Sequence, residues 1–574
     1  MTAFSAPFEQ AIETVTAPGS PFEIAQHQNN GIDYRIYANA PKTLIELLGP
    51  GREFGNQEFV IYQEQRWTFD DFHQQADILA VHLIENLNVG KGDRIAIAMR
   101  NYPEWMVVFL AIISTGAVAV PLNSWGAGAE LQQSIADAQC VLLFCDQERL
   151  TMIDRKDSQL AAMVVRHDGP LPHNCQSYDQ VINDGLTKNL APEAIQAVLA
   201  GIIIDAHDEA MIMFTSGTSG KPKAALFTHF NCCQSLTNFE AVGAAAYMTN
   251  MDAYNKHLSS GRPSKALITV PLFHVSGLFA QFLLTLRGGR SLVLMYKWDP
   301  SVACDIIMEE QITIIVAAPS MLLDLTQHSK FKNVDTSIIS NISGAGAATP
   351  SKLAKLLTEK LPYSLPGSGW GMTETGAAGA SFTGYFYNLK LGSCGFVNPI
   401  VDLRFCDEDG VQVKNGTPGE IWVKSPTTIS GYANNPQANR EEFKQGWFKT
   451  GDIGYLDSDK CLFICDRAKD MVIRGGENIF PVEVENTIQS LPMVIGACGF
   501  AISSDQYGEE LMVVVRVAPE HLGVIDEEAV QNHCRKQLAN FKVPSVVRFT
   551  DQPFPINGTN KVLKKQVKAL FSFE

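Results

Sequence analysis

The chain predicts an α/β protein, with a large N-terminal domain of layered α/β subdomains followed by a small α+β C-terminal domain. Three observations carry this reading. A length of 574 residues is far too great for one hydrophobic core. Apolar runs with helix and strand periods alternate along the chain. The charge-rich stretch Asp466-Arg-Ala-Lys-Asp470 separates short strands from a compact terminal unit of about one hundred residues, a normal size for a small domain.

Residues 1–40 lack strong periodicity and read as a poorly ordered lead-in. The large domain then occupies 41–466, the boundary segment 467–470, and the small domain 471–574. From Trp67 a strand gives way to a helix, because Phe72, Ala76, Leu79 and Leu83 fall on one helical face. Lys91-Gly-Asp-Arg94 is a turn, followed by a strand over Ile95–Met99. Trp105 to Leu122 carries no charge and is near the lower length limit for a membrane span. Gly116 sits where a helix would stop, and Pro121 closes an Ala-Val-Ala-Val run, so a buried helix and a buried strand fit better.

In the last part, Ile453–Cys465 reads as short strands around Asp457-Ser-Asp459. Pro481 suits the first turn of a helix carrying Glu483 and Glu485. Strands over Gly496–Ile502 and Leu511–Val517, a helix over Asp526–Ala539 and a strand over Ser545–Thr550 complete the unit.

Composition narrows the function. A formal charge of −16 argues against a nucleic-acid groove or an anionic-membrane patch, although it does not forbid a locally positive cleft. The 12 cysteines form no paired C-x-x-C units, so they read as thiols of a reducing cytosol rather than as zinc ligands. No secretory leader opens the sequence, and no G-x-S-x-G elbow supports a serine hydrolase.

Five segments carry chemistry. In Met213-Phe-Thr-Ser-Gly-Thr-Ser-Gly-Lys-Pro-Lys223 an apolar strand feeds a loop of hydroxyls, glycines and lysines, and Ala224–Thr228 reads as a returning strand. Convergent backbone N–H groups, hydroxyls and ammonium charge suit a polyphosphate, against the alternative of a glycine-rich surface turn. It is not a Walker loop, since Pro222 stands where Ser or Thr would follow Gly-Lys. In Gly369-Trp-Gly-Met-Thr-Glu-Thr-Gly376, Trp370 suits a purine face, Thr373 a phosphate and Glu374 a Mg²⁺ ion, or the glycines merely pack tightly. Asp452 in Lys449-Thr-Gly-Asp-Ile-Gly454 accepts ribose hydroxyls or caps a turn. The remaining two are Asp466-Arg-Ala-Lys-Asp-Met-Val-Ile-Arg-Gly-Gly-Glu-Asn-Ile-Phe-Pro481 and Asn557-Gly-Thr-Asn-Lys-Val-Leu-Lys564.

Read in order, the five resemble the adenylate-forming superfamily, and Gly475-Gly-Glu-Asn-Ile-Phe-Pro481 looks most like the acyl-CoA ligases. The likeness runs over about residues 40–570 and includes Pro271-Leu-Phe-His274, Val316-Ala-Ala-Pro-Ser320 and Phe541-Lys-Val-Pro544. It implies a small β-barrel within the large domain and a mobile small domain. It also implies an ATP-dependent joining of a fatty or aromatic carboxylic acid to CoA through an acyl-adenylate, with pyrophosphate release. Thr215, Ser216, Gly217, Thr218, Ser219, Gly220, Lys221 and Lys223 would hold the β- and γ-phosphates, and Glu374 the Mg²⁺. Gly344, Ala345 and Gly346 would line the adenine pocket with Trp370, Gly371, Met372 and Thr373. Asp452 and Arg467 would fix the ribose, and Lys561 would bridge the attacking carboxylate and the α-phosphate. Lys469 takes the hinge position, about which the small domain would pivot to present Gly475 to the pantetheine arm. His274 would sit near the acyl pocket, or is a core histidine.

Three positions depart from the family pattern: Ala224, Ala345 and Asn560 stand where glycine is usual. Asn tolerates a left-handed backbone, whereas Ala224 needs either ordinary φ or some strain. The competing readings are an enzyme that loads a carrier-protein thiol, and a silent protein that binds nucleotide. The end of the chain at 574 without a carrier domain favours free CoA over the first, and retention of Glu374, Asp452, Arg467 and Lys561 counts against the second. No nucleic-acid partner is expected, the location is cytoplasmic, and homodimerisation is left open.

Overall fold

A computed structural model describes residues 4–29, 31–153, 160–188, 191–215, 222–344, 346, 351–558 and 560–571. Its large domain is organised by two long sheets. The first has eight strands, and its parallel centre runs Glu209–Thr215, Val118–Pro121, Arg94–Ala98, Leu142–Asp146, Ala161–Val165 and Cys175–Ser177. Lys223–Thr228 returns antiparallel beside Glu209–Thr215 and pairs in turn with Gly431–Tyr432. The second sheet has fourteen strands, with a parallel centre that includes Lys265–Ile268, Ile314–Ala317, Asn341–Gly344 and Leu365–Trp370.

The helices between these strands follow the apolar spacing. Phe69–Glu85 is capped by Thr68, whose side chain accepts from Asp71 N–H while Asp71 answers to the Thr68 N–H. Phe72, Ala76, Leu79 and Leu83 all lie on its buried side. Pro103–Ser114 is buried from Pro103 to Ile113, which explains the uncharged stretch. At 1.5 Å per residue it is too short for a bilayer, and Gly116 at φ +73° ends it by a turn that β-carbon-bearing residues disfavour. Trp105 stacks on Phe109 at 5.7 Å, and both meet the edge of Phe282 in a core shared by the two sheets. Among the described residues no helix is long and apolar enough to cross a membrane.

Two expectations are corrected. The expected poorly ordered lead-in is a helix, Ala6–Val15, and a hairpin, Ile24–Asn29 with Ile32–Tyr37. Phe8 stacks on Phe396 at 4.5 Å, and Tyr37 donates to Asn238 Oδ1 at 3.0 Å. The anchoring partners are hundreds of residues away, so local periodicity could not announce them. The expected β-barrel is an open antiparallel wing over Gly395–Val397, Asp402–Cys406, Gly419–Lys424, Trp447–Leu456 and Cys461–Arg467. Gly395–Val397 uses its second edge to pair with Ala380–Thr383 and so joins the wing to the parallel strands. Among the described residues no pairing closes the Asp402–Cys406 edge.

The last strand of the large sheet ends at Arg467, and the first of the small sheet starts at Val472. Between them lies one 3₁₀ turn, Ala468–Asp470. The small sheet has five strands, built on the hairpin Val494–Ser504 with Gly508–Val517 and joined in parallel by Val546–Thr550. Helix Pro481–Gln489 has its proline in the first turn, and helix Glu527–Arg535 is capped by Asp526.

Because Phe8 fills an aromatic cluster, Phe8→Ala should cost about 3 kcal/mol of local stability. Limited proteolysis within residues 4–40 should then quicken by roughly a hundredfold, with the remainder of the chain still resistant. An unchanged cleavage rate would show that the helix is held by something else.

Candidate active site

The wing brings two charged residues into register. Along Trp447–Leu456 burial alternates, and Asp452 falls on the buried side. A buried carboxylate must be bonded to be tolerated. Asp452 Oδ2 accepts from the Trp370 indole N–H at 2.9 Å, and Oδ1 faces Arg467 Nε at 3.2 Å from the directly opposed position on the next strand. The Trp370 ring lies in the apolar core of the wing and orients Asp452 from below.

Beyond Trp370 the chain turns tightly. A side chain on Gly371 would run into the Ala377 carbonyl at 2.4 Å, and the Met372 N–H donates to Thr375 Oγ1 at 3.1 Å. The 3₁₀ turn Thr373–Thr375 that follows buries Glu374, 5% exposed. Burial raises its pKa, opposed by hydrogen bonding to its own backbone and then to Tyr432 and Thr215, and by the charge of Lys223. The Tyr432 hydroxyl lies 3.1 Å from Glu374 Oε1 and 2.8 Å from Glu442 Oε2, so its one proton is shared between two carboxylates.

Lys223 completes this cluster. It ion-pairs with Glu442, donates to the Tyr432 hydroxyl at 3.3 Å, and lies 4.4 Å from the centre of that ring. Its charge is therefore paired with Glu442 within the protein. Thr215, paired across the strands with Lys223, has a buried hydroxyl beside Glu374 that makes no hydrogen bond of normal geometry among the described residues. Ser216, Gly217, Thr218, Ser219, Gly220 and Lys221, and also Ala345, lie outside the described residues.

Lys561 reaches this region from the small domain. Its turn is closed by Asn557 N–H to Lys561 O at 2.9 Å and by Lys561 N–H to Asn557 Oδ1 at 2.9 Å. Asn560 takes φ +59°, so it adopts the left-handed conformation that the missing glycine would have supplied. The turn is seated on the large domain, since Ser320 donates to Asn560 O at 3.2 Å and Gly558 lies against Trp125. The lysine stem passes over Gly346, where an added Cβ would meet Lys561 Cε at 3.7 Å. Desolvation and then the Arg467 charge push the lysine pKa down to about 8, while Asp452 and Glu374 oppose the shift.

His274 stands beside it. Burial first, and then the positive charge of Lys561, hold its pKa at about 3, so the ring is neutral at physiological pH. Its Nδ1 accepts from Ser276 N–H and pairs with Ser276 Oγ at 2.9 Å, which caps the helix Val275–Gly277. One ring thus serves as a cap and as a neighbour of the lysine.

Asp452, Arg467, Glu374 and His274 are all within electrostatic reach of Lys561, Thr215 adjoins Glu374, Gly346 underlies the lysine stem, and Thr215 and Gly344 end parallel strands, the edge where open α/β sheets bind ligands. Two named residues stand apart. Gly475 is in the turn of a small-domain hairpin, bonded to Tyr507 O at 2.9 Å, and Lys469 lies in the connecting 3₁₀ turn, its pKa lowered by burial. Tyr432 and Glu442 were not singled out from the sequence. They join Glu374 only through contacts 58 and 10 residues apart, and no local pattern reports such a meeting. Ala224 sits in ordinary strand pairing with Phe214, so its missing glycine causes no strain.

Comparison with known proteins identifies the family. Residues 50–433 match the family model described as AMP-binding enzyme, and residues 483–561 match that of the AMP-binding enzyme C-terminal domain. A feruloyl-CoA synthase of Amycolatopsis sp is 30% identical over 486 residues, covering 84% of this chain and 90% of that protein. A long-chain-fatty-acid–CoA ligase of Mycobacterium tuberculosis is 30% identical over 499 residues, covering 87% and 91%. The solved o-succinylbenzoate CoA synthetase of Bacillus subtilis, in complex with its acyl-adenylate intermediate, superposes with a TM-score of 0.71 at 27% identity, covering 91% of this chain and 97% of that one. The chain belongs to the AMP-binding enzyme family, and within it to the AMP-forming acyl-CoA ligases.

The Lys223 cluster is directly testable. Lys223→Met should destabilise the protein by about 3 kcal/mol, since it strands Glu442. Adding Glu442→Leu should recover part of that loss in chemical denaturation. Additive losses would mean that the pair is not coupled.

Proposed function

We propose that this enzyme activates a carboxylic acid, aromatic or fatty, as its acyl-adenylate and then transfers the acyl group to CoA. The observation that carries the proposal is the ammonium of Lys561, brought from the small domain to Gly346, Asp452, Arg467 and Glu374. In the first half-reaction a carboxylate oxygen attacks the α-phosphorus of ATP, and pyrophosphate leaves. Two anions approach each other there, and the lysine charge is placed to stabilise what develops between them. In the second half-reaction the CoA thiolate attacks the acyl carbon, and AMP leaves with the bond electrons.

The remaining roles follow from placement. Asp452, held by Trp370 and Arg467, is set to accept the ribose hydroxyls. Gly344 and Gly346 would border the adenine, and Thr215 would begin the phosphate loop. Glu374 and the Thr215 hydroxyl beside it form a hard-oxygen pair that fits Mg²⁺, which takes one or two carboxylates together with substrate phosphates. When bound, the ion neutralises phosphate charge. His274, neutral and fixed by Ser276, would orient groups near the acyl carbon without competing with the lysine as a cation. The turn at Lys469 carries the chain from the large-domain sheet to the small-domain sheet, and we assign the domain pivot to it, with Gly475 then meeting the pantetheine arm. The buried thiols Cys232 and Cys233 suit a cytoplasmic location.

A pyrophosphate-release screen over carboxylic acids, with and without CoA, tests the proposal. Release with at least one acid and AMP turnover that requires CoA are expected. Turnover that is indifferent to CoA would contradict the thioester step.

The pH dependence follows from the lysine. Its pKa is lowered, so the ammonium is present below about pH 8 and is lost as pH rises through that value. kcat/KM for ATP, which reports the free enzyme, should fall above about pH 8, while the kcat limb lies higher because bound phosphates favour the charged form. A kcat/KM profile flat to about pH 9.5 would remove the lysine from this role.

A further inference from the structure

The reach of Lys561 depends on where its turn is anchored, and that anchor is ionic. The turn closes as a narrow hairpin, with Ile556 bridged to Val562 and the Leu563 N–H donating to Pro555 O at 2.8 Å. The chain then enters helix Lys564–Phe571, whose Val567 is buried in a cluster with Cys498, Phe500 and Met512. Lys564, three residues after Lys561, opens this helix. Its Nζ lies 2.9 Å from Glu485 Oε1, and that oxygen also accepts from the Gly499 N–H at 2.8 Å. Burial disfavours the lysine charge, yet Glu485 and then Asp466 hold its pKa above the ordinary value.

The two carboxylates around Lys564 belong to different domains. Glu485 stands on the small-domain helix Pro481–Gln489. Asp466, 5% exposed, stands on the last large-domain strand, before the turn at Ala468–Asp470. Its Oδ1 accepts from the Arg467 N–H at 2.8 Å, and its Oδ2 reaches past the turn to the Val482 N–H at 3.0 Å. Consecutive residues of a strand face opposite sides. Arg467 therefore faces Asp452, while Asp466 faces the first turn of the small-domain helix and the Lys564 charge. One strand end holds both the partner of Asp452 and the base of the Lys561 turn.

We propose that Asp466 is a positioning residue for adenylation, whose carboxylate seats the small domain through Val482 N–H and Lys564 so that Lys561 meets Asp452 and Glu374. Its partners are groups of the protein itself, so it acts through Lys561 and not on substrate. The inference rests on the acid-activating function proposed above and assigns the seat to one large-domain charge. Asp466 precedes the turn at Lys469, whereas Val482 and Lys564 follow it, so a pivot there separates them. The carboxylate is then needed for the first half-reaction only. Glu485 travels with Lys564 and keeps the lysine charge paired after the pivot, which lowers the cost of parting.

The test assays the two half-reactions of Asp466→Asn, which keeps the shape and one acceptor oxygen but removes the charge. The kcat for pyrophosphate release should fall about ten- to hundredfold, the cost of a misplaced reacting group, with KM for ATP within about threefold of wild type. Thioester formation from supplied acyl-adenylate and CoA should stay within about threefold. Lys564→Met should show the same split, and Lys564→Arg, which keeps the charge between the carboxylates, should retain most of the pyrophosphate release. A merely structural role would lower both half-reactions alike, and a charge-independent one would make the arginine and methionine variants equal. Either result, with a wild-type enzyme that releases pyrophosphate, would overturn this assignment alone. If the wild-type enzyme released none with any acid, the acid-activating function would fall and this inference with it.

Discussion

A single ammonium organises the site. Lys561 sits on one domain while the carboxylates that stabilise it, Asp452 and Glu374, sit on the other. An amine buried near Arg467 would rather be neutral, and its lowered pKa expresses that cost. Asp452 and Glu374 offset it, and each is itself held by a separate framework. Trp370 and Arg467 hold the first, and Tyr432 holds the second with Lys223 and Glu442 behind it. The charges on the crevice wall are thus balanced before any substrate arrives, and an incoming polyanion adds to the lysine side of that balance.

The fold serves this placement. Two sheets align their C-terminal edges so that Thr215, Gly344 and Trp370 end near one another, and the shared aromatic core around Trp105 and Phe282 fixes the sheets together. The small domain is tied covalently through one turn at Ala468–Asp470 and seated by polar bonds that include Ser320 to Asn560, Lys352 Nζ to Val494 O at 3.1 Å and the Asp466 carboxylate to Val482 N–H at 3.0 Å. Polar seating of this kind is compatible with the pivot proposed at Lys469, because a large apolar interface would lock the domain.

Much of this was legible in the sequence where the determinant is local. The helix at Phe69–Glu85, the buried helix and strand around Gly116, the strand pair Glu209–Thr215 with Lys223–Thr228 and the order of the small domain all follow from period, caps and glycine placement. The departure at Asn560 was also legible, since asparagine is the residue that best tolerates the conformation it adopts. What escaped was long-range. The seating of the N-terminal helix and hairpin, the continuity of the wing with the parallel sheet, the ion pair of Lys223 and the contacts of Tyr432 all depend on partners that meet only in the folded chain. Lys223 shows the limit well. The motif names its charge, and only the strand pairing of the folded chain shows that Glu442 lies beside it.

The central claim is that the lysine charge is needed to form the adenylate and is dispensable afterwards. The most direct measurement is Lys561→Ala assayed on the two half-reactions separately. Pyrophosphate release should fall by about a hundredfold or more, while thioester formation from supplied acyl-adenylate and CoA should stay within a few-fold of wild type. Equal loss in both steps, or undiminished pyrophosphate release, would contradict the account.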